Sequence, residues 1–155
     1  MPDHPTEGIM IRDSRSSTII LDSDALKILR KSYSEALYRI NTSAGQITLR
    51  TEENWDIHEK IFPCNEFIYI TAWNPGSEPL PEPENRKNNF LLLSELKKTA
   101  SFILEGCSES ESGEWKEESF FAADVSLETG KILQKQFGQN AFLYGRKGEK
   151  IKLIF

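Results

Sequence analysis

The sequence has few of the residues that hold metal ions or form disulfides. Its 155 residues include two cysteines and two histidines. Cys64 and Cys107 are too few for a disulfide framework or a zinc site, and His58 has no partner at ligand spacing. We therefore expect no metal, no cofactor and a reduced protein.

Long apolar runs are also absent. No stretch reaches the roughly 18 to 20 residues that cross a bilayer, and residues 1–17 lack the apolar core of a signal peptide. These absences predict a cytoplasmic protein, bacterial in style, that does not contact a membrane. The formal net charge of −5 argues against binding to nucleic acid or to an anionic membrane.

The usual motifs of catalysis are missing as well. The sequence has no nucleophile paired with a base, no glycine-rich loop that would cradle phosphate, and no cluster of metal ligands. Their absence favours a binding protein over an enzyme.

What the sequence does contain is one strong strand signal, at residues 67–75. This is the longest apolar run, rich in β-branched and aromatic residues. It stops at Asn74-Pro75, because proline cannot donate a ladder hydrogen bond. The run predicts a buried central strand with Trp73 and Asn74 at its carboxyl end, and with Trp73 in the core.

The remaining elements follow from periodicity, caps and turn residues. Residues 1–16 are polar and are expected to be flexible, and residues 17–155 are expected to form a single α+β domain. The predicted helices cover residues 25–34, about 82–98 and 125–137. The predicted strands cover residues 36–41, 46–51, 67–75, 101–105, 115–123, 140–144 and 150–155, with an acidic loop at 106–114.

From Phe67 onward this order is strand, helix, strand, strand, helix, strand, and then one more strand. A split βαβ sheet, ferredoxin-like, fits the order better than a parallel doubly wound sheet. We expect two helices on one face of the sheet, and an N-terminal helix and hairpin that extend it or cover its other face.

That topology brings polar residues from distant parts of the chain to one end of the sheet. Their amides and guanidinium offer hydrogen-bond donors, and one carboxylate offers acceptors. The predicted ligand-binding residues are Trp73, Asn74, Asn85, Arg86, Trp115, Gln139 and Asn140, and the candidate catalytic residue is Glu118.

Four blocks in this order also resemble a bacterial family of small cytoplasmic domains of unknown function. The blocks are ITAWNP at residues 70–75, ENR with NN at 84–89, WKEESF at 115–120 and FGQNA at 137–141. The resemblance covers roughly residues 26–142 and implies no activity. It marks the same residues that the topology gathers at one end of the sheet.

Two classes of function remain open. The first is a binding or regulatory domain that holds a small polar or anionic ligand, or a partner's tail, through the amides and Arg86. The second is a small hydrolase- or transferase-like enzyme with Glu118 as acid or base. Base stacking on Tyr69 and Trp73 is disfavoured by the net charge. The sequence does not determine the oligomeric state.

Each of these residues also has a purely structural explanation. Trp73 and Asn74 would terminate a strand, Asn85 would begin a helix, and Gln139 and Asn140 would satisfy loop backbone. An ion pair between Arg86 and Glu118 would then be structural too.

Overall fold

The computed structural model describes residues 10–12, 19–21, 23–58 and 63–155, and in these the chain is a mixture of helices and strands. The helices are α1 (Ser23–Glu35), α2 (Glu82–Leu96) and α3 (Leu127–Gln136). The strands are β1 (Met10–Arg12), β2 (Ile19–Leu21), β3 (Leu37–Thr42), β4 (Gly45–Leu49), β5 (Glu66–Ile70), β6 (Ile103–Glu109), β7 (Lys116–Ala123), β8 (Phe142–Arg146) and β9 (Lys152–Ile154).

Seven of these strands form one curled antiparallel sheet. Its order is β4-β3-β6-β7-β5-β8-β9, and β1 pairs with β2 in a separate two-stranded sheet. Strand β5 lies between β7 and β8. The hairpin of β3 and β4 extends the sheet by pairing with β6. The predicted mixed α+β class is therefore correct.

One face of the sheet is covered by α2 and α3. Ile68 and Ile70 of β5 share a buried apolar cluster with Leu92 and Leu96 of α2 and Leu133 of α3. Because side chains alternate along a strand, the neighbouring residues of β5 must point to the other face.

That other face is also buried, and it is aromatic. Trp55 lies in a short 3₁₀ turn (Trp55–Ile57), and its ring centroid is 4.5 Å from that of Phe67. The rings of Phe67 and Phe121 stack with centroids 4.7 Å apart. Tyr69 of β5 is 2% exposed on this face, so its ring is not accessible for the base stacking considered from the sequence.

Strand β5 is shorter than the sequence predicts. It ends at Ile70, because the next backbone N–H groups bond to side chains instead of to a neighbouring strand. The N–H of Ala72 donates to Asn89 Oδ1 at 2.8 Å, and that of Trp73 to Thr71 Oγ1 at 3.0 Å. Trp73 is half-buried and lies outside the core clusters, so its expected place in the core was wrong.

Strand β6 is shifted relative to the prediction. It continues to Glu109, so Gly106 and the residues up to Glu109 belong to a strand and not to the acidic loop predicted at 106–114. Gly106 suits this position because a Cβ atom there would collide with the carbonyl oxygen of Arg39. Glu109 is held by Arg39, whose Nε donates to Oε1 at 2.5 Å.

Two predictions fall partly on residues that the structure does not describe. The flexible segment expected at 1–16 lies outside the described residues, except for the three residues of β1. Within the ambiguous stretch 52–62, the 3₁₀ turn at Trp55–Ile57 is described and residues 59–62 are not. None of the helices in the described part of the chain has the length and apolarity needed to span a membrane.

Candidate functional site

The loop after β5 is built around two asparagines that bond to each other. Asn74 has a left-handed backbone with φ of +45°, a conformation that asparagine tolerates better than most residues. Its N–H donates to Asn85 Oδ1 at 2.8 Å, and Asn85 Nδ2 returns a bond to Asn74 Oδ1 at 2.7 Å. The N–H and the carbonyl of Leu80 complete the network at 3.0 and 3.2 Å. The side-chain oxygens of both asparagines and the Asn85 Nδ2 group are thus occupied in shaping the loop.

A third asparagine, Asn89, joins this loop to β7. Its Oδ1 accepts from the N–H of Ala72, and its Nδ2 donates to the carbonyl of Glu118 at 2.9 Å. The hydroxyl of Thr71 donates to the same carbonyl at 2.5 Å. The end of β5, the middle of α2 and the beginning of β7 therefore meet at one end of the sheet.

Arg86 and Glu118 lie on the solvent side of that junction. Arg86 Nη1 is 3.4 Å from Glu118 Oε2, and Arg86 Nη2 is 2.5 Å from Glu82 Oε1. The side chains of Arg86 and Glu118 are 58% and 52% exposed, and the guanidinium lies 6.0 Å from the centre of the Trp73 ring. Solvent screens such an exposed pair.

Gln139 and Asn140 approach the same loop from the end of α3. Gln139 Nε2 donates to the carbonyl of Trp73 at 3.3 Å. Asn140 Nδ2 donates to Ser77 Oγ at 2.9 Å and lies 3.4 Å from the hydroxyl of Tyr33 on α1. These two residues thus connect α3, the loop and α1.

Trp115 has a different location. It precedes β7 and packs in the apolar cluster of the aromatic face, together with residues such as Tyr38 and Ile40. The structure therefore brings the other predicted site residues to one end of the sheet, and places Trp115 among core side chains.

A groove of about 910 Å³ runs between α2 and α3. On α2 it is lined by Asn88, Leu91 and Glu95, whose spacing of three or four residues places them on one helical stripe. Lys98, just after the end of α2, also lines it. Pro75, Gly76, Gln139 and Asn140 border it at the loop.

A second cavity, of about 30 Å³, lies on the aromatic face of the sheet. We call it the Glu117 pocket. Its polar lining comes from α1, β3, β5, β6 and β7 and from the two loops that follow β5 and α3. The polar residues are Tyr33, Tyr38, Tyr69, Thr71, Ser108, Glu117, Ser119 and Gln139. Gln139 also borders the groove, so it is common to the linings of both spaces.

Glu117 is 1% exposed, and burial raises the pKa of its carboxyl to about 7 because removing a carboxylate from water disfavours the charged form. Burial also raises the pKa values of Tyr33, Tyr38 and Tyr69 above that of ordinary tyrosine. Around neutral pH the tyrosines are therefore uncharged.

Sequence reasoning chose Glu118 and missed Glu117, along with Ser108 and Ser119. The strand at 115–123 was predicted, but apolar residues occupy both of its faces. Alternation therefore shows that the two glutamates point in opposite directions without showing which one is inside.

Fold and site together define an α+β domain with a curled antiparallel sheet and a buried polar pocket. Residues 70–142, from the end of β5 to the start of β8, match a family model described as "Protein of unknown function (DUF3293)". The chain is thus similar to a family of domains of unknown function, as the resemblance implied. Comparisons with curated proteins and with solved structures gave no match. That the four blocks mark this family, and that the source is bacterial, stay predictions.

Proposed function

We propose that this protein is a binding domain that holds a small polar ligand in the groove between α2 and α3. The observation that carries this proposal is the groove itself, whose volume of about 910 Å³ lies within the range of roughly 300 to 1,000 Å³ usual for ligand sites. It opens at the end of the sheet where the loop, Gln139 and Asn140 converge.

The lining of the groove suits a polar ligand with one apolar edge. Asn88 and Ser94 offer hydrogen-bonding groups on α2, and Leu91, which is 46% exposed, offers apolar surface. Lys98 is neutralised by Glu95 at 2.5 Å, whereas Lys135 on α3 brings a positive charge. A neutral or singly anionic molecule matches this balance.

A thermal-shift screen of small polar and anionic compounds tests the proposal. Compounds that bind in the groove stabilise the native protein by mass action, and Ser94→Trp, which fills the groove, should abolish that stabilisation. Lys87→Trp places the same ring on an exposed position of α2 outside the groove and should keep it. A screen without hits, or hits that stabilise the Ser94→Trp variant equally, would refute the proposal.

Acid–base catalysis is a second candidate, and the burial of Glu117 favours it. The enzyme considered from the sequence used Glu118, but that carboxylate is exposed beside Arg86. Glu117 is enclosed, and its pKa of about 7 matches the requirement that a general acid or base titrate near the working pH. Any turnover found should be lost in Glu117→Gln and kept in Glu105→Gln, an exposed carboxylate of β6. Activity that persists in Glu117→Gln would exclude this candidate.

The ferredoxin-like topology predicted from the sequence is a separate proposal. We propose that residues 66–146 form a split βαβ unit of the ferredoxin-like kind. The order β6-β7-β5-β8 within the sheet supports it, as does the packing of α2 and α3 into one apolar cluster on the same face. An experimental structure in which β5 is not flanked by β7 and β8 would overturn it. The cytoplasmic location stays a prediction.

A further inference from the structure

A third space, of about 420 Å³, lies between the end of α1 and strand β9 at the edge of the sheet. We call it the Arg30 pocket. The linings of this pocket and of the groove between α2 and α3 have no described residue in common. The pocket is lined by Arg30, Lys31 and Ser34 of α1, by Thr51 and Glu52 after β4, and by residues 152–155.

The charges of this lining are mostly positive, although the chain as a whole has a formal net charge of −5. Three basic side chains, those of Arg30, Lys31 and Lys152, and one acidic side chain, that of Glu52, border the pocket. Lys152 lies 3.9 Å from Glu149, whereas Arg30 and Lys31 form no ion pair with a carboxylate of the described residues. A local excess of positive charge that is not neutralised attracts an anion.

Arg30 is nevertheless held in place by an aromatic ring. Its guanidinium carbon lies 4.2 Å from the centre of the Phe155 ring, a distance at which a cation is attracted to the face of the ring. The Phe155 ring in turn lies 5.9 Å from the ring of the buried Tyr33. A guanidinium that stacks on a ring keeps its N–H donors at the edge, where they can bind two oxygens of one anion.

The basic side chains are not needed to complete the end of α1. Lysine and arginine near a helix C-terminus often donate to its last carbonyl groups. Here hydroxyl groups take that role, and the carbonyl of Tyr33 accepts from the hydroxyl of Tyr38 at 2.5 Å. The carbonyl of Ser34 accepts from Thr51 Oγ1 at 2.8 Å, a bond that also joins two walls of the pocket. The donors of Arg30 and Lys31 are therefore available for a ligand.

Charge and size indicate which anion fits. The lining has three positive side chains and one negative side chain, an excess that a doubly charged anion balances. At pH 8 a phosphomonoester carries close to two negative charges and presents three acceptor oxygens. Arg30 can bind two of these oxygens side by side, and Lys31 can bind the third as a point charge. The volume of about 420 Å³ also has room for a small organic group, to which Leu153 offers apolar surface.

We propose that the Arg30 pocket binds the phosphate group of a small phosphomonoester. Arg30 and Lys31 bind the phosphate oxygens, and Lys152 adds a third positive charge. This site goes beyond the ligand proposed for the groove and does not depend on it.

Titration of the full chain with phenyl phosphate at pH 8 tests the proposal. Calorimetry should show saturable binding, and the resonances of the Arg30 Nε–H group and of the Leu153 and Phe155 backbone amides should shift. Benzenesulfonate has a similar shape but a single charge, so it should bind at least about fivefold more weakly. Sodium chloride at equal ionic strength should not produce the saturable shift.

Variants locate the binding. Arg30→Gln removes a charge and the paired donors, so it should weaken phenyl phosphate binding at least about tenfold. Lys27→Gln removes the same charge one turn earlier on α1, outside the pocket, and should change the affinity less than about twofold. Both positions are exposed, so both variants should keep the native fold, which circular dichroism checks. Ser94→Trp, which fills the groove, should leave the binding unchanged and so separates this inference from the proposed function.

Several results would overturn the proposal. They are an absence of saturable phenyl phosphate binding, an equal affinity for benzenesulfonate, and an equal loss of affinity in Lys27→Gln and Arg30→Gln. In the native protein, shifts of the Asn88 and Gln139 amide resonances in place of those of Leu153 and Phe155 would put the ligand in the groove and would overturn it as well.

Discussion

Strand β7 turns two chemically identical side chains, those of Glu117 and Glu118, to opposite faces of the sheet. The Glu117 side chain lies among tyrosines and serines and is shielded from water. The Glu118 side chain stands in solvent beside Arg86. The difference teaches that residue type alone does not assign a role, because burial raises the pKa of the Glu117 carboxyl, whereas Glu118 forms an exposed, solvent-screened pair with Arg86.

The largest effect is expected from a substitution in the aromatic cluster on the face of the sheet to which Glu117 points. Phe121→Ala should cost about 3–5 kcal/mol of unfolding free energy, because Phe121 is fully buried between Phe67 and Trp55 on the same face. Chemical denaturation measures this loss. Phe90→Ala, at a position 68% exposed on α2, is the matched control and should stay within about 0.5 kcal/mol. Equal losses in the two variants would contradict the packing described.

The burial of Glu117 should make the free energy of unfolding depend on pH. A carboxyl whose pKa rises from 4.5 to about 7 on folding favours the folded state fully below pH 4.5, and that contribution is lost as pH rises through 7. The change is on the order of 3 kcal/mol at about 1.4 kcal/mol per unit. Denaturation curves from pH 4 to 8 should show it in the native protein, and Glu117→Gln should remove it. A native protein without this slope would contradict the burial of the charge.

Between these extremes lies the asparagine network of the loop. Asn85→Ala should cost about 1–3 kcal/mol, because it leaves partly buried partners without their hydrogen bonds. The affected groups are the N–H and the side chain of Asn74 and the carbonyl of Leu80. Asn88→Ala, one turn further along α2 on the groove side, is the control. If both variants unfold at the same denaturant concentration, Asn85 is not structural.

The smallest effect is expected on the exposed side of β7. Glu118→Gln removes the more distant of the two carboxylates that pair with Arg86, at 3.4 Å. It should leave the melting temperature without a measurable change, because solvent screens the pair. The melting temperature of Glu118→Gln can be compared directly with that of Glu117→Gln at pH 8. A large loss of stability in Glu118→Gln alone would reverse the assignment of the two glutamates.

Local patterns in the sequence were sufficient for much of the fold. The turn at 42–45 has glycine where φ is +116° at Gly45, and α3 ends before Gly138, whose φ of +64° suits a helix C-terminus. These signals depend on a few adjacent residues, so they can be read without knowledge of tertiary contacts.

The features that could not be predicted from the sequence depend on contacts with residues far away along the chain. Residues 106–109 were expected in a loop because the run is acidic, consists of small residues and has glycine at both ends, but they continue β6. Arg39, 70 residues earlier in the chain, pairs with Glu109 there. Asn74 and Asn85 lie at one end of the sheet, as the topology predicted. The sequence did not show that their side chains form a hydrogen bond with each other. Which of Glu117 and Glu118 is buried was likewise decided by what covers each face.

The pairing of β3 with β6 has a consequence for how the chain reaches its native state. The β3–β4 hairpin forms from contacts between neighbours, but its attachment to β6 joins distant residues such as Arg39 and Glu109, which are 70 positions apart along the chain. Closing so long a loop is entropically costly, so contacts of this kind slow folding. We expect the amide protons of β3 that bond to β6 to gain protection from exchange later in refolding than those that bond to β4. The Glu117 pocket, which needs Tyr38 of β3, would then be among the last parts of the molecule to be completed.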